Sequence, residues 1–477
     1  MEDAAGGNGA DVVRAPSPVS DAVAQYEVAL LGVLESRGLP AEGVLVGRAE
    51  RQKVFNNLDD VLEPLDAAHR ARSVYLSKFV FAVGAGLFDA ALNYLWDETI
   101  SELRRRVAGY DLNYFFDLAV HGERRKRLKS AEDLPLVDDS ELVQAANKMG
   151  LISDVGFKHL ELVRYMRNYA SAAHPNQTEL TGIQLAGYME TCIREVITLP
   201  ESAVVVEVRR LLANIKTTTM DAGQAKQVAA TFSEIPADQV NSLAQGLFGI
   251  YVDPSTSEPT RDNVRLVLPL LWPFVDNDVK RLFGVRHARY VANHDADQAK
   301  WAREVLTAVD GLAYLTDDMR VAEIDEALDA LMSAHHGFDN FYTEGPAVRR
   351  LAALVGTTPP AAVREEYVTS LVYLLLGNGS GTSWSADPVY RELIGNFSPN
   401  DARLALLSLF DLKVSSKLQL SRPASQLPAL LDLLDSKVAD APTRALFDGI
   451  RDFTGSPESI RLDSNLKRLA SEARLLT

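Results

Sequence analysis

Apolar residues recur every three or four positions along most of this chain, and this helical period constrains the fold more than any other feature. In residues 321–334 (VAEIDEALDALMSA), Val321, Ile324, Leu328 and Leu331 fall on one face of a helix. Stretches that alternate strictly with period two are almost absent from the sequence. The sequence therefore predicts an all-α protein.

Local chemistry supports this prediction at individual helix starts. Ser398 can cap the free amides of a helix, Pro399 suits its first position, and Asp401 favours its positive end. The only competing strand candidate is AVVVEV at 203–208, where β-branched residues cluster. That segment continues into VRRLLANI with helical spacing, so we predict a helix there as well.

One apolar segment approaches the length of a membrane span. It covers residues 74–96 (VYLSKFVFAVGAGLFDAALNYLW), but Lys78, Asp89 and Asn93 interrupt it, and each of these would be costly in hydrocarbon. We therefore predict one buried central helix of a helical bundle rather than a membrane segment.

Breaks in the helical pattern predict the organisation of the chain. We expect a flexible tail over 1–20, a helical bundle over 21–200 and a larger helical scaffold over 201–477. The scaffold is divided by a polar, proline-bearing loop at 252–262 and a glycine-rich loop at 377–388. Successive apolar helices with short connections suggest stacked pairs as in HEAT-like arrays. No fixed sequence period is present, so an irregular scaffold fits equally well.

The charge balance limits what the surface can bind. Asp and Glu number 65 against 49 Lys and Arg, a formal net charge of -16, so phosphates can be attracted only by a local basic patch. Residues 101–130 are the exception to this acidity. They carry Arg104, Arg105, Arg106, Arg124, Arg125, Lys126, Arg127 and Lys129. This segment is either a solvated helix end and loop or a patch that contacts RNA. In the second case, Arg164 is a further candidate for contact with RNA.

The cysteine content and the first residues bear on the cellular compartment. Cys192 is the only cysteine, so one chain can form neither a disulfide nor a cysteine-based zinc site. The first twenty residues have no basic stretch followed by an apolar run, as a signal peptide would have. We expect a cytoplasmic protein without a membrane segment, a metal or a cofactor.

The segment with the most chemical content is one amphipathic helix, predicted over residues 157–174. Its apolar stripe consists of Leu160, Val163, Met166 and Ala170. Pro175 cannot continue the helix, which places His174 in the last turn.

Arg167 and His174 form the candidate catalytic pair on this helix. They lie seven residues apart, about two helical turns, and therefore project from nearly the same line beside Ser171. The negative end of the helix favours the charged form of a histidine, which tends to raise its pKa towards physiological pH.

The phrase RNYASAAHPN resembles the HEPN superfamily of helical domains. Nuclease members of that superfamily carry an arginine, usually followed by a polar residue, then four to six positions and a histidine. Arg167, Asn168 and His174 match this pattern at its longest spacing. The resemblance covers roughly residues 21–200 and names the predicted N-terminal bundle as HEPN-like. The remaining scaffold resembles no family beyond helical arrays.

The resemblance implies metal-independent cleavage of RNA, in which the ribose 2′-OH attacks the adjacent phosphate and leaves a 2′,3′-cyclic phosphate. His174 would be the general acid or base, Arg167 would stabilise the charge of the transition state, and Asn168 would orient the phosphate or the imidazole. Two such helices commonly meet across a two-fold axis in the family, which implies a homodimer.

Spacing alone does not distinguish this pair, since Arg281 with His287 and Arg289 with His294 also satisfy it. Only Arg167 is followed by Asn and belongs to a helix that ends at His-Pro.

Three functions remain open at this point. The first is a ribonuclease with a helical regulatory scaffold, suited to a bacterial toxin or an antiphage abortive-infection factor. The second is a catalytically silent adaptor whose helices contact protein partners. The third is a domain that binds a nucleotide without cutting RNA.

Other motifs are explained more simply by structure. His335, His336 and Asp339 (HHGFD) have no fourth metal ligand, and we predict a solvated turn there. Gly84 and Gly86 lack the rest of a dinucleotide fingerprint, so close helix packing is expected. No G-x-S-x-G or H-E-x-x-H motif is present in the sequence.

Overall fold

The computed structural model describes residues 18–169, 179–379 and 383–475, with side chains from residue 25 onward. Every regular element in these ranges is helical, so the prediction of an all-α fold is confirmed. Within the same ranges, no helix is both long enough and apolar enough to cross a membrane.

The α-helices of the first half of the chain are α1 (Pro18–Ser36), α2 (Arg48–Leu62), α3 (Ala67–Arg72), α4 (Val74–Ala85), α5 (Phe88–Ala108), α6 (Leu112–Ala119), α7 (Glu123–Arg127), α8 (Asp139–Lys148), α9 (Asp154–Tyr169), α10 (Gly182–Cys192), α11 (Ala203–Thr217), α12 (Ala222–Ala229) and α13 (Ala237–Val252). A π-helical stretch, Ile193–Ile197, follows α10 directly.

The α-helices of the second half are α14 (Glu258–Leu271), α15 (Asn277–Ala292), α16 (Ala296–Ala308), α17 (Asp317–His336), α18 (Asn340–Val355), α19 (Arg364–Leu375), α20 (Asp387–Gly395), α21 (Pro399–Ser408), α22 (Leu412–Lys417), α23 (Ser421–Asp435), α24 (Ala441–Arg451) and α25 (Ser464–Arg474). Short 3-10 helices occupy Ala131–Leu136, Phe232–Glu234, Trp272–Phe274, Leu312–Tyr314, Ala361–Val363 and Pro457–Leu462.

The chain divides into two compact units. Unit 1 contains the described residues up to Met220 together with 230–249, and unit 2 contains 221–229 and the described residues from Ile250 onward. The main division along the chain therefore lies close to the predicted break at 252–262, about fifty residues beyond position 200.

Unit 1 is built around α5, which packs against α4, α8, α9 and α10. Leu92, Leu95, Trp96 and Leu103 of this helix are fully buried. The prediction of a central bundle helix is therefore right for this part of the chain.

The prediction of a single helix over 74–96 is wrong, because the segment folds as the hairpin of α4 and α5. Gly86 ends α4 with a left-handed φ of 80°, which glycine adopts without steric cost. A Cβ at this position would also lie 3.1 Å from the Val46 carbonyl oxygen and 2.9 Å from Nε of the buried Arg51. Gly86 therefore has a backbone role in addition to the close packing expected from the sequence.

The predicted loop at 252–262 is too long at both ends. Helix α13 continues to Val252 and α14 begins at Glu258, so only 253–257 connects them. Ser257 has the extended backbone of an N-cap and Pro259 lies in the first turn, which explains why this polar, proline-bearing sequence starts a helix.

Two local predictions are confirmed. Residues 203–208 form the start of α11, with the Ser202 hydroxyl accepting from the Val205 amide. Ser398 caps α21 in a reciprocal capping box with Asp401.

Unit 2 consists largely of helices that pack against their neighbours in sequence. The most extensive pairs are α15 with α16, α17 with α18, and α24 with α25. Helix α19 lies at the centre of the C-terminal part, where Tyr367, Val368, Leu371 and Val372 are buried.

Candidate active site

Arg167 lies near the end of α9 and faces α5. It follows the buried Leu160 by seven residues and the buried Val163 by four, so the three side chains share one face of the helix. The side chain of Arg167 is half-buried. Its Nε donates a hydrogen bond of 2.9 Å to the side-chain oxygen of Asn93 on α5, which fixes one edge of the guanidinium.

Asp97 lies one turn beyond Asn93 on α5 and is half-buried. Burial raises the pKa of its carboxyl, and nearby Asp139 raises it further, whereas Arg167, Lys78 and Arg104 act in the opposite direction. The net shift is upward. This carboxyl therefore holds its proton more readily than an exposed aspartate, while three cations lie within electrostatic reach.

The two other cations near Asp97 are Arg104 on α5 and Lys78 on α4. Arg104 forms an ion pair of 3.3 Å with Asp139, which also accepts from the Trp96 indole at 2.8 Å. The Lys78 amine lies over the rings of Tyr75 and Tyr94, 5.2 and 5.5 Å from their centroids.

We name the polar surface formed by Lys78, Asn93, Asp97, Arg104 and Arg167 the α5–α9 surface. It combines one fixed guanidinium, one carboxyl of raised pKa and two further cations. Such a set can bind a phosphate and hold a proton close to it.

Asn168 is exposed beside Arg167, and its side-chain oxygen accepts a hydrogen bond of 3.4 Å from Nη1 of Arg167. Residues 170–178, which include Ser171, His174 and Pro175, lie outside the described residues. The pairing of Arg167 with His174 and the predicted helix end at His-Pro therefore remain predictions.

The arginines of α5 that were candidates for RNA binding make contacts within unit 1. Both oxygens of Glu102 accept from Arg105, at 2.5 and 2.8 Å. Arg106 is half-buried and donates to the carbonyls of Ile197 and Leu199, so it joins α5 to the segment after α10. With Arg104 paired to Asp139, the positive charge of this group is largely balanced.

The remaining candidates divide into paired and unpaired residues. Arg124 contacts both oxygens of Glu141, and Arg125 pairs with Asp117 at 2.6 Å. Arg127 is exposed at the end of α7, and Arg164 is half-buried on α9 one turn before Arg167. Neither forms an ion pair with a described residue. The cations of the α5–α9 surface are thus Lys78, Arg104 and Arg167, with Arg164 one turn before Arg167 along α9.

Sequence reasoning missed Asn93 and Asp97 as site residues. The signal was present, because both are polar residues at one-turn spacing in the mostly apolar first half of this helix. Asn93 was considered only as an interruption of a membrane-like run. Its contact with a residue 74 positions away was not readable from the sequence.

The prediction of a solvated turn at HHGFD is wrong for His335. Its side chain is buried and contacts Glu344 and Lys417, while His336 and Asp339 are exposed as expected. The reason is the tight α17–α18 hairpin, which turns the last buried face of α17 onto α18. Among the residues described, no group of His, Cys, Asp and Glu has the arrangement of a metal site.

Cys192 is fully buried at the end of α10. Burial raises the pKa of its thiol to about 12, so little thiolate is present near neutral pH and the residue is a poor nucleophile.

No protein-family model, no curated protein and no solved structure matches this chain. Its function is therefore inferred from the α5–α9 surface and from the sequence motif that contributes Arg167.

Proposed function

We propose that unit 1 is a metal-independent, HEPN-type endoribonuclease in which Arg167 and His174 form the catalytic pair. The observation that carries the proposal is the setting of Arg167. It is half-buried within the α5–α9 surface, and Asn93 fixes its Nε. A guanidinium held in this way loses little freedom when it binds a phosphate.

The chemistry divides between two groups. His174 accepts the proton of a ribose 2′-OH, the 2′ oxygen forms a bond to the adjacent phosphorus, and the bond to the 5′ oxygen breaks as that oxygen gains a proton. Arg167 stabilises the extra negative charge on the phosphorane. Of its five N–H groups, the one at Nε donates to Asn93 and one on a terminal nitrogen donates to Asn168, so three are left for phosphate oxygens.

Asn93 and Asp97 support this chemistry from α5. Asn93 is a positioning residue, because it touches Arg167 rather than the reacting atoms. Asp97 has a carboxyl of raised pKa and is the described group best suited to give a proton to the leaving oxygen.

We further propose that the nuclease acts as a homodimer through α4. Val74, Lys78 and Phe81 lie at one-turn steps along this helix, and the two apolar residues of this line are strongly exposed. Lys78, between them, belongs to the α5–α9 surface. A second copy on this face would cover the apolar residues and bring two such surfaces together.

A nuclease joined to a large helical unit would suit a toxin or an antiphage abortive-infection factor in which unit 2 receives the trigger. Unit 2 would then also carry the surface for a protein partner. The rest of the proposal does not depend on this biological role.

A catalytically silent adaptor is the second candidate, and one observation favours it. The Arg167–Asn93 hydrogen bond joins α9 to α5, and a residue with a purely structural role would make the same contact. In that case the guanidinium stabilises the bundle and no RNA is cut.

An RNA cleavage assay in EDTA separates the two candidates. A mixed RNA pool is incubated with the wild type, His174→Ala, Arg167→Ala and the matched control His159→Ala. His159 is an exposed histidine of α9, the helix that carries Arg167, and lies 3.8 Å from Glu195. We expect wild type and His159→Ala to leave 2′,3′-cyclic ends, and the other two variants to lose activity by about 100- to 10,000-fold.

Each outcome of this assay leads to a different conclusion about function. Undiminished cleavage by a folded His174→Ala protein ends the assignment of this motif as the active site. Absence of cleavage by every protein, with unchanged thermal midpoints, favours the adaptor. Binding of a mononucleotide without cleavage favours a nucleotide-binding domain.

A further inference from the structure

A cluster of ionisable side chains is buried in the otherwise apolar core of unit 2. His335 at the end of α17, Glu344 on α18 and Lys417 at the end of α22 are 1%, 2% and 7% exposed. Leucine, valine and isoleucine side chains dominate the core around them. Charged groups in such a place are costly unless they are paired and hydrogen-bonded, so the contacts of these three residues determine their role.

The three side chains form a continuous hydrogen-bonded chain. Nδ1 of His335 lies 2.8 Å from Glu344, and Nε2 lies 3.0 Å from the Lys417 amine. Because a carboxylate only accepts, Nδ1 carries the proton and Nε2 accepts from lysine. Tyr390 also donates to Glu344, at 2.7 Å, and Lys417 donates to the Tyr373 carbonyl at 2.7 Å.

This geometry accommodates Lys417 with and without its extra proton. A neutral amine has two N–H groups, which match the two acceptors, His335 Nε2 and the Tyr373 carbonyl. The third proton of an ammonium group would meet the ring of Tyr373, whose centroid is 3.3 Å from the amine nitrogen. Gain or loss of one proton therefore leaves no donor of Lys417 without a partner.

The surrounding charges favour release of that proton near neutral pH. Burial lowers the pKa of Lys417, Glu344 opposes this, and Lys413 on the same helix adds to the lowering, so that the resulting pKa is about 7. Burial tends to raise the pKa of Glu344, but hydrogen bonds from His335 and Tyr390 outweigh it and keep the carboxylate ionised.

The other titratable groups around the cluster come from α17 itself and from two further elements. His336 on α17 is exposed, and burial together with His335, Lys417 and Lys413 lowers its pKa. Asp387 of α20 lines a small cavity beside His335 and Glu344, which has room for about one water molecule. Glu458 and Arg461 lie on the 457–462 helix packed against α22 but are not among the groups that shift the pKa of Lys417.

We propose that Lys417, His335 and Glu344 form a proton-dependent latch that fastens α22 to the α17–α18 hairpin of unit 2. Without the extra proton, the amine is a neutral link between His335 and the backbone of α19. With it, the core holds a cation that water would solvate better. The stabilisation that the latch gives to the folded state is therefore largest at alkaline pH and decreases as the pH falls towards 7. This role does not depend on the ribonuclease proposal.

The sign follows from proton linkage. An exposed lysine of the unfolded chain has a pKa of about 10.4, so between about pH 7 and 10 the unfolded chain binds one proton more than the folded chain. The ratio of folded to unfolded protein should then rise about tenfold per pH unit across this interval. Below pH 7 both states bind the proton and this contribution no longer changes.

The test compares the full chain with Lys417→Met and with the matched control Lys467→Met, an exposed lysine of α25. Urea unfolding is followed by tryptophan fluorescence from pH 7.5 to 9.5; Trp272, Trp301 and Trp384, three of the four tryptophans, belong to unit 2. We expect the folding equilibrium constant of the wild type, divided by that of Lys417→Met, to rise about tenfold per pH unit. Lys467→Met should follow the wild type.

A second measurement protects the test if Lys417→Met does not fold. The ¹³Cε resonance of Lys417 in the wild type, assigned by its loss in Lys417→Arg or Lys417→Met, should titrate with a midpoint near neutral pH. A midpoint above about pH 9.5, or a ratio of equilibrium constants that stays flat with pH, overturns the proposal. Lys417 would then be a permanently charged structural residue.

Discussion

Gly182 is the position at which the smallest change should disturb unit 1 most. It opens α10 where this helix packs against α2, and its amide donates to the Glu50 carboxylate at 2.7 Å. A Cβ added here would overlap the carbonyl oxygen of Glu50 and lie 2.9 Å from its carbon and 3.0 Å from Cβ of Lys53. Gly182→Ala must therefore push the two helices apart, because the obstacle is backbone rather than a flexible side chain.

The expected cost follows from this geometry. Extra methylene groups in a packed interior typically cost about 1–3 kcal/mol, and a rigid backbone obstacle places this site near the upper end, at about 3 kcal/mol. Loss of entropy in the unfolded chain opposes this by about 0.4–1 kcal/mol. The free energy of unfolding should thus fall by about 2 kcal/mol or more, and the displaced hydrogen bond to Glu50 adds to the loss.

Gly187 provides the matched control on the same helix. It is exposed, and an added Cβ would have no neighbour within 4 Å. Alanine is favoured over glycine in a helix interior by about 0.5–1 kcal/mol, so Gly187→Ala should stabilise the protein. The same chemical change on one helix is therefore expected to have opposite signs at two positions.

The assay is urea unfolding by circular dichroism, combined with hydrogen exchange of the peptides that cover α2 and α10. We expect faster exchange in both peptides for Gly182→Ala and unchanged or slower exchange for Gly187→Ala. Equal effects of the two substitutions on unfolding would show that the close contact between α2 and α10 does not limit stability, and the reasoning would fail.

Two further outcomes test other parts of the molecule. Arg320 is buried and donates to three backbone carbonyls at and just beyond the end of α18. Arg320→Ala should therefore lower the free energy of unfolding by about 3 kcal/mol or more. The control Arg350→Ala removes an exposed ion pair and should change the free energy of unfolding by less than about 1 kcal/mol. Similar urea midpoints for the two variants would contradict the assigned role of Arg320. Phe81 is 81% exposed on α4, and Phe81→Glu should convert a dimer to monomers in analytical ultracentrifugation. Phe338→Glu, at a fully exposed phenylalanine of unit 2, should not, and a monomeric wild type would refute the α4 dimer.

The helical class was readable from the sequence because it depends on interactions between residues at most four positions apart. The spacing of Val321, Ile324 and Leu328 predicts a helix whatever the helix packs against, and α17 is found there. Ser398 and Asp401 likewise cap a helix through contacts three residues apart.

The end of α4 required more than local spacing. The run over 74–96 has continuous apolar character, and its sequence does not say which glycine stops the helix. Gly86 adopts the left-handed conformation where Arg51 and the carbonyl of Val46 leave no room for a side chain. Contacts from α2 and from the segment just before it thus decided where α4 ends.

For the candidate site, the sequence motif supplied Arg167 and the fold supplied what surrounds it. Asn93 and Asp97 join the guanidinium only because α5 and α9 pack side by side. A motif search along the chain cannot find such partners, since the distance in sequence carries no information about them.

The sequence by itself determined that this chain forms helices, where individual helices such as α21 begin, and which arginine is the candidate for phosphate chemistry. Only the tertiary structure decided which ionisable groups are buried together. His335 reads as a residue of a polar turn, yet it lies in the core because Lys417, 82 positions later, meets it there. The free energy of a buried charge depends on the partners and solvent around it, and long-range packing sets both.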